Sequence, residues 1–318
     1  MAKTDTLNET KSKNSLVKSY QKNYQLVLML LPGVVALILF CYVPMGGILI
    51  AFKDYKFMKG IFGSDWVGLQ HFVTLFKQQN FGRVIYNTVY ISFFKLILGF
   101  PTPIILALLL NELRLQKFKN FIQTCTYLPH FFSWVVLAGI LKMIFSNVGP
   151  VNTIFNMLGT GSHLDFFGNG GLFRGLIIGS AIWQSAGWGA IIYLASLSGI
   201  DVSLYEAAYM DGAGRLRQTW QISIPCMIPT IITVFILNLG SILNAGYDQI
   251  YNMYNPTVYE VTDIIDTYVM RALKSMDYGV GTAAELFKSV ISFAMVMLSN
   301  KIVNKMSDNE LGIMQGGK

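Results

Sequence analysis

The stretch "EAAYMDGAGRLRQTWQISIP", residues 206–225, is polar and slightly basic, contains two glycines and ends in a proline. Long apolar runs lie on both sides of it, over 172–198 and 225–245. Each run can cross a bilayer as a helix, because the hydrocarbon core takes about 20 apolar residues to span. The stretch is therefore predicted to be an exposed element held between two membrane helices.

The composition of the chain indicates a membrane protein. Of its 318 residues, 53% are hydrophobic and 13% are charged, whereas soluble domains carry about 25% charged residues. The three cysteines fit no disulfide or metal spacing. We predict an all-α polytopic fold with six spans, followed here in chain order: 25–52, 85–110, 121–145, 172–198, 225–245 and 284–303.

The basic residues of the loops predict the orientation. If the N-terminus is cytoplasmic, more lysines and arginines lie in inner loops than in outer loops, as the positive-inside rule requires. The net charge of +7 is attributed to this rule, and no nucleic acid partner is expected. The predicted organisation is a cytoplasmic segment (1–24), a six-span domain (25–303) and a cytoplasmic tail (304–318). The first outer loop contains "LQHFVTLF" (69–76), which is predicted to form a short interfacial helix.

Residues 200–225, named the elbow below, then lie in the cytoplasm between the fourth and fifth spans. Asp201 or Ser203 can cap a first helix, with Glu206 in its first turn, where the helix dipole favours a negative charge. Gly212 and Gly214 can end that helix, because glycine adopts positive φ without steric cost.

A second short helix is predicted over 215–223. It places Leu216, Trp220 and Ile224 along one apolar face. Pro225 then begins the fifth span, where a missing N–H costs nothing. These features fit two interpretations, a loop lying on the lipid or a docking element for a soluble protein.

The residues of the elbow also fit a longer pattern, E-A-A, three residues, G, nine residues, I-x-L-P. Here it reads Glu206-Ala207-Ala208, Gly212 and Ile222-Ser223-Ile224-Pro225, with isoleucine in place of leucine. This resembles the cytoplasmic docking signature of binding-protein-dependent ABC importer permeases. Residues 31–56 resemble sugar-type permeases, and 108–140 and 254–273 resemble their LplB-like branch, which serves oligosaccharides and polysaccharides.

The resemblance implies the type I ABC importer permease fold, with the elbow as the coupling-helix loop in a cleft of an ATPase. The docking residues would be Glu206, Ala207, Ala208, Asp211, Gly212, Arg215, Trp220, Ile222 and Pro225. The implied partners are a second homologous permease, two ATP-binding cassette subunits and an extracellular solute-binding lipoprotein in a bacterial cell membrane. The sequence has no GxxxxGK[ST] motif, so ATP and Mg would bind the partner ATPase and no cofactor or metal is expected in this chain.

A substrate pathway is predicted from polar residues around the fifth span. These are Asn238, Ser241, Asn244, Tyr247 and Asp248. In a continuous helix, positions 238, 241 and 248 lie close to one face. Such groups either bond neighbouring helices or line a pathway. Trp188 of the fourth span either packs at the interface or offers a face to a sugar.

Four basic residues fall within or beside the apolar runs: Lys95, Lys142, Arg174 and Lys288. The last three lie near outer ends and can extend to the interface. Lys95 lies deeper and is assigned to the pathway. We hypothesise that Lys95 and Lys142 favour acidic saccharides such as uronates.

The expected function is the permease subunit of an ATP-driven oligosaccharide importer, which forms half of the translocation path. The alternative is a self-sufficient six-span channel or secondary carrier. That alternative needs ionisable relays within the spans, whereas the acidic residues lie mostly in loops. A membrane enzyme would need clustered catalytic groups, and the sequence offers none.

Overall fold

The computed structural model describes residues 23–158, 164–240 and 243–306, without the side chains of 27 and 302–306. Five helices in these ranges are long and apolar enough to cross a membrane, or six if one bent pair counts as a span. The five are Tyr24–Phe52, Phe81–Glu112, Gly170–Ser198, Arg215–Gly240 and Tyr278–Lys301. The helical membrane fold is as predicted, and the bent pair occupies the position of the predicted third span.

The first two spans contain prolines without being interrupted. The first comprises α1 (Tyr24–Leu37), a π-helical turn (Ile38–Tyr42) and a 3₁₀ segment (Val43–Phe52). The second comprises α4 (Phe81–Gly99) and α5 (Pro101–Glu112). Pro44 and Pro101 lie in the first turns of their segments, where no N–H is needed.

The loop between these spans is folded. It contains strand β1 (Lys53–Asp54), helix α2 (Gly60–Gly63), strand β2 (Asp65–Trp66) and helix α3 (Gln70–Lys77). The two strands pair antiparallel, with Lys53 opposite Trp66. The helix predicted over 69–76 is present as α3, which packs against α16 (Tyr278–Met306).

The prediction of one straight third span over 121–145 is wrong. Helix α6 (Gln116–Tyr127) runs through a 3₁₀ turn to Phe131, and α7 (Trp134–Ile144) then leaves at 107°. Pro129 lies in the turn and has no N–H to continue the α-helical ladder. Ser133 then caps the new helix, since its Oγ accepts from the N–H of Val136 at 3.5 Å.

The fourth span is α9 (Gly170–Ser198), the central helix of the fold, which contacts α4, α5 and α6. Helix α8 (Pro150–Met157) precedes it. At Gly187 an added Cβ would lie 2.1 Å from the carbonyl oxygen of Thr126, so only glycine lets α9 approach the bend of the third span. Gly175 and Gly179 have open space around them and need no such explanation.

The predicted boundary at Pro225 is also wrong. Helix α10 (Val202–Met210) is followed by α11 (Arg215–Gln218), a π-helical turn (Thr219–Ser223) and α12 (Ile224–Gly240). The last three form one uninterrupted rod. In the π-helical turn the N–H of Ile224 bonds the carbonyl of Thr219, five residues back, and this wider turn admits Pro225 without a break.

The fifth span is helical to Gly240 within the described residues, and 243–246 are not helical, so the span stops short of the predicted residue 245. The chain turns at Gly246, where φ is +88°, a value that favours glycine. It continues as α13 (Tyr247–Met253), a 3₁₀ turn (Pro256–Val258), α14 (Tyr259–Thr262), α15 (Ile265–Lys274) and α16. Because α12 runs from the elbow to Gly240, the segment 243–277 lies at the end of the bundle opposite the elbow.

Candidate functional site

The first helix of the elbow is capped by Asp201, whose Oδ1 accepts from the N–H of Ser203 at 2.9 Å. That hydrogen bond lowers the pKa of the Asp201 carboxyl. Helix α10 begins at Val202, so Glu206 is its fifth residue and lies beyond the first turn, contrary to the prediction. The helix dipole therefore does not explain the acidic residue at 206.

The turn of the elbow depends on Gly212. Its φ is +77°, and its N–H donates to the carbonyl of Tyr209 at 3.0 Å. Gly214 has φ −69°, which any residue adopts, and a Cβ at either glycine would meet open space. Of the two glycines singled out in the sequence, only Gly212 is required by backbone geometry.

Side-chain hydrogen bonds fix the angle between the two arms of the elbow. The hydroxyls of Tyr205 and Ser223 lie 2.8 Å apart, and Gln218 Nε2 donates to the carbonyl of Ala213 at 3.0 Å. Arg215 lies 3.6 Å from the carboxylate of Glu112 at the end of α5. The elbow is therefore a rigid unit tied to the second and fifth spans.

Several large apolar side chains of the elbow are exposed. Tyr209, Met210, Leu216 and Trp220 are 75%, 84%, 78% and 66% exposed. Of the nine predicted docking residues, Ala208 and Ile222 are half-buried and the others are exposed. Tyr209 and Met210 were missed from the sequence, although their position directly before Gly212 could have indicated them.

A cavity of about 510 Å³ lies among α4, α5, α9 and α12. It brings together four of the seven predicted pathway residues, Lys95, Trp188, Asn238 and Asn244. Tyr247 lines a neighbouring cavity of about 330 Å³, which shares Asn244 with the first.

The predicted single polar face of span five is wrong, because α12 ends before Asn244 and Asp248 lies on α13. Asp248 is exposed and lines neither cavity. Ser241 lies outside the described residues.

Lys95 holds the end of the fifth span in place. Its Nζ donates to the carbonyl of Ala245 at 2.7 Å and to Gln249 Oε1 at 2.5 Å. Gln249 in turn donates to the carbonyl of Ile177 and to Ser180 Oγ. Within the described ranges, no carboxylate lies within ion-pair distance of Lys95. Its amine therefore meets only neutral acceptors at the edge of the cavity.

Two buried hydroxyls in the cavity wall, on Ser92 and Tyr193, have no hydrogen-bond partner among the described residues. Such groups are costly unless a ligand or water satisfies them. Trp188 also lines the cavity, with one face stacked on His130 at 4.7 Å. Sequence reasoning missed Ser92 and Tyr193, because a single hydroxyl in an apolar run carries no distinguishing pattern.

The other three basic residues of the apolar runs all have protein partners. Lys142 donates to the carbonyl of Asn252, and Arg174 donates to the carbonyl of Val261 and to Asn87 Oδ1 at 2.6 Å. Lys288, by contrast, pairs with the carboxylates of Asp266 and Glu285. The prediction that these side chains extend to the interface therefore omits the hydrogen bonds and ion pairs that they make within the protein.

Comparison with known proteins identifies the family. The model of the family described as "Binding-protein-dependent transport system inner membrane component" matches residues 99–308. The chain is 44% identical to the "Polygalacturonan/rhamnogalacturonan transport system permease protein YteP" of Bacillus subtilis over 94% of this chain and 93% of the relative. It is 40% identical to "Protein LplB" of the same organism over 93% and 94%.

A solved structure, a bacterial ABC transporter involved in the import of the acidic polysaccharide alginate, matches with a TM-score of 0.85 and 37% identity over 92% of this chain and 99% of that chain. A second solved structure, a bacterial alginate ABC transporter in complex with an alginate pentasaccharide-bound periplasmic protein, matches with the same TM-score of 0.85 and 36% identity. The match covers 93% of this chain and 99% of that chain. With the helical membrane bundle, these matches show that the chain belongs to the family of binding-protein-dependent transport system inner membrane components.

Proposed function

We propose that this chain is the permease subunit of an ATP-driven importer of oligosaccharides and polysaccharide fragments and forms half of its translocation pathway. The relative YteP is named for polygalacturonan and rhamnogalacturonan, and the solved structures for alginate. All three polymers contain sugar acids. The observation that carries the proposal is the cavity lined by a lysine without a carboxylate partner among the described residues, two unsatisfied hydroxyls and an indole. A sugar acid offers a partner to each of these groups.

In the proposed orientation both termini and the elbow lie in the cytoplasm. Residues 25–303 form the transmembrane permease domain between the two terminal segments. The excess of basic residues in the inner loops supports this orientation. A second homologous permease completes the path, two ATPase subunits bind ATP and Mg, and an extracellular solute-binding lipoprotein delivers the sugar. The similar solved structure of an ABC transporter in complex with an alginate pentasaccharide-bound periplasmic protein supports this set of partners.

The elbow carries the motion of the ATPase dimer to the cavity. Its exposed apolar side chains insert into the ATPase, and its internal hydrogen bonds make it move as one body. The helix that starts at Arg215 continues to Gly240, and Asn238 near its far end lines the cavity. A push on Trp220 is therefore transmitted along one rod to the substrate site, and the cavity alternates between inward and outward access.

Gly212→Pro tests this function. Proline requires φ near −65° and lacks the N–H that bonds Tyr209, so it cannot occupy a position at +77°. We expect saccharide uptake by the reconstituted transporter to be abolished and ATP hydrolysis to become independent of substrate, while the protein still inserts. Gly214→Ala is the matched control, because φ there is ordinary and the space is open. Normal uptake by Gly212→Pro would refute the docking role.

A further inference from the structure

A row of half-buried tyrosines runs along helix α13 and the segment that follows it. Tyr247, Tyr251 and Tyr254 recur at helical spacing, and Tyr259 follows at the start of α14. Successive ring centroids lie 5.2, 6.0 and 4.7 Å apart, the first pair stacked and the next two tilted, so the four rings form one row of contacts, named the tyrosine ladder here. Gln249, Ile250 and Met253 of α13 are buried beside this row, and Tyr254 packs against the core.

The two ends of the ladder lie at two separate cavities. At one end, Tyr247 lines the 330 Å³ cavity, which shares Asn244 with the central cavity. At the other end, Tyr259 and Lys274 line a third cavity of about 910 Å³, at the end of the bundle opposite the elbow. In the proposed orientation this third cavity opens to the outside. The ladder therefore runs from the outer surface toward the centre of the permease.

Two cations accompany the ladder. Lys274 donates to Tyr251 Oη at 2.6 Å, and its Nζ lies 4.9 Å from the centre of the same ring. Arg271 lies 5.5 Å from the ring of Tyr259 but is already paired with Asp263. Lys274 is exposed, and no carboxylate of the described residues lies within 4 Å of its ammonium. The hydrogen bond to Tyr251 raises the pKa of Lys274, so it is charged at neutral pH.

The ladder is polar as well as aromatic. Its four tyrosines are half-buried, so part of each side chain reaches the surface. Tyr251 accepts the bond from Lys274, which leaves its own O–H able to donate. Burial raises the pKa of Tyr254 to about 12, so this phenol also stays neutral. A row of phenols beside an ammonium complements a chain of sugar acids, because phenols hydrogen-bond sugar hydroxyls and an ammonium attracts carboxylates.

We propose that the tyrosine ladder is an extended binding track for an anionic oligosaccharide, which passes from the outer cavity to the central cavity with carboxylates at Lys274. This inference rests on the proposed import function and adds residues outside the central cavity to it. Because the track contacts several sugar units at once, its contribution grows with chain length. A short saccharide that occupies only the central cavity does not need it.

The test compares uptake of galacturonic acid oligomers by the complete transporter, with its binding protein and ATPase, in proteoliposomes. For a hexamer, Tyr251→Phe/Tyr254→Phe, which keeps the rings and removes the hydroxyls, should raise KM about five- to tenfold, the loss of one or two hydrogen bonds. For the dimer the change should stay below about twofold. Lys274→Gln should impair the acidic hexamer more than its neutral methyl ester, and Lys77→Gln, an exposed outer lysine off the ladder, should impair neither.

The outcomes separate the ladder from the function on which it rests. Equal KM changes for dimer and hexamer, or no change for either, would overturn the ladder while leaving import intact. If the unaltered transporter imports neither the dimer nor the hexamer, in acidic or esterified form, the proposed function itself fails. A length-dependent and charge-dependent KM effect is the expected result.

Discussion

The elbow and the central cavity differ in the kind of group that lacks a partner within the protein. The elbow is a short contiguous segment whose hydrogen bonds are complete and whose apolar side chains, Leu216 and Trp220 among them, are uncovered. The cavity is assembled from four helices, and its groups that lack a partner among the described residues are polar. The hydroxyls of Ser92 and Tyr193 have no hydrogen-bond partner, and the amine of Lys95 has no carboxylate partner. An uncovered apolar surface is suited to a protein partner, and unsatisfied buried polar groups are suited to a hydrophilic solute.

The two regions also differ in how they respond to substitution. In the elbow, one residue in a left-handed conformation sets the path of the chain. In the cavity, several side chains share the binding of one solute, so no single change should abolish transport. We therefore expect larger losses from the elbow than from the cavity.

Trp220→Ala should produce the largest of the three losses considered next. A central exposed tryptophan typically contributes 2 kcal/mol or more to a protein interface, about 30-fold in affinity. We expect a loss of that order in the affinity of the purified permease for its ATPase subunit, and a parallel loss of uptake. Phe118→Ala, half exposed on α6 outside the elbow, is the control. If both variants lost affinity equally, the elbow would not be the docking site.

Most of the elbow could be predicted from sequence because its determinants are local. The turn at Gly212 and the apolar stripe through Trp220 follow from spacing within a few residues. The boundary at Pro225 could not be predicted in this way, because a π-helical turn absorbed the proline. The bend of the third span at Pro129 was missed for a related reason, since prolines in the first two spans cause no such break.

The cavity could be predicted only in part, since it depends on contacts between distant residues. Lys95 and Asn238 were identified because polar groups in apolar runs are conspicuous. The helical face proposed for 238–248 assumed an unbroken helix, but the chain turns at Gly246. Ser92 and Tyr193 gain their significance from unsatisfied burial, a property of packing that no local pattern encodes.

Lys95→Gln should have an intermediate effect that depends on the charge of the substrate. The ammonium is the positive charge in the cavity wall, and glutamine keeps a donor for Ala245 while removing that charge. We expect uptake of an acidic oligosaccharide to fall about tenfold and uptake of its neutral ester to fall about threefold or less, since a hydrogen bond to a charged group contributes about 1.5–3 kcal/mol.

Lys142→Gln is the matched control for Lys95→Gln. Lys142 bonds the carbonyl of Asn252 and lies outside the central cavity, so its loss should affect acidic and neutral substrates alike. The sequence led us to expect that both lysines favour acidic saccharides. Because only Lys95 lines the central cavity, we now expect the charge effect at Lys95 alone. Equal losses of acidic and neutral uptake in Lys95→Gln would show that the cavity does not select substrates by charge.

Glu112→Gln should have the smallest effect and tests whether the elbow works as a separate unit. The carboxylate of Glu112 lies 3.6 Å from Arg215, and both side chains are about half exposed. Exposed ion pairs contribute about 0.2–1 kcal/mol, so uptake should change by less than about fivefold. Added salt should weaken the unaltered pair similarly. A loss as large as that of Trp220→Ala would mean that force enters through the second span as well, and the elbow would then be one part of a larger docking surface.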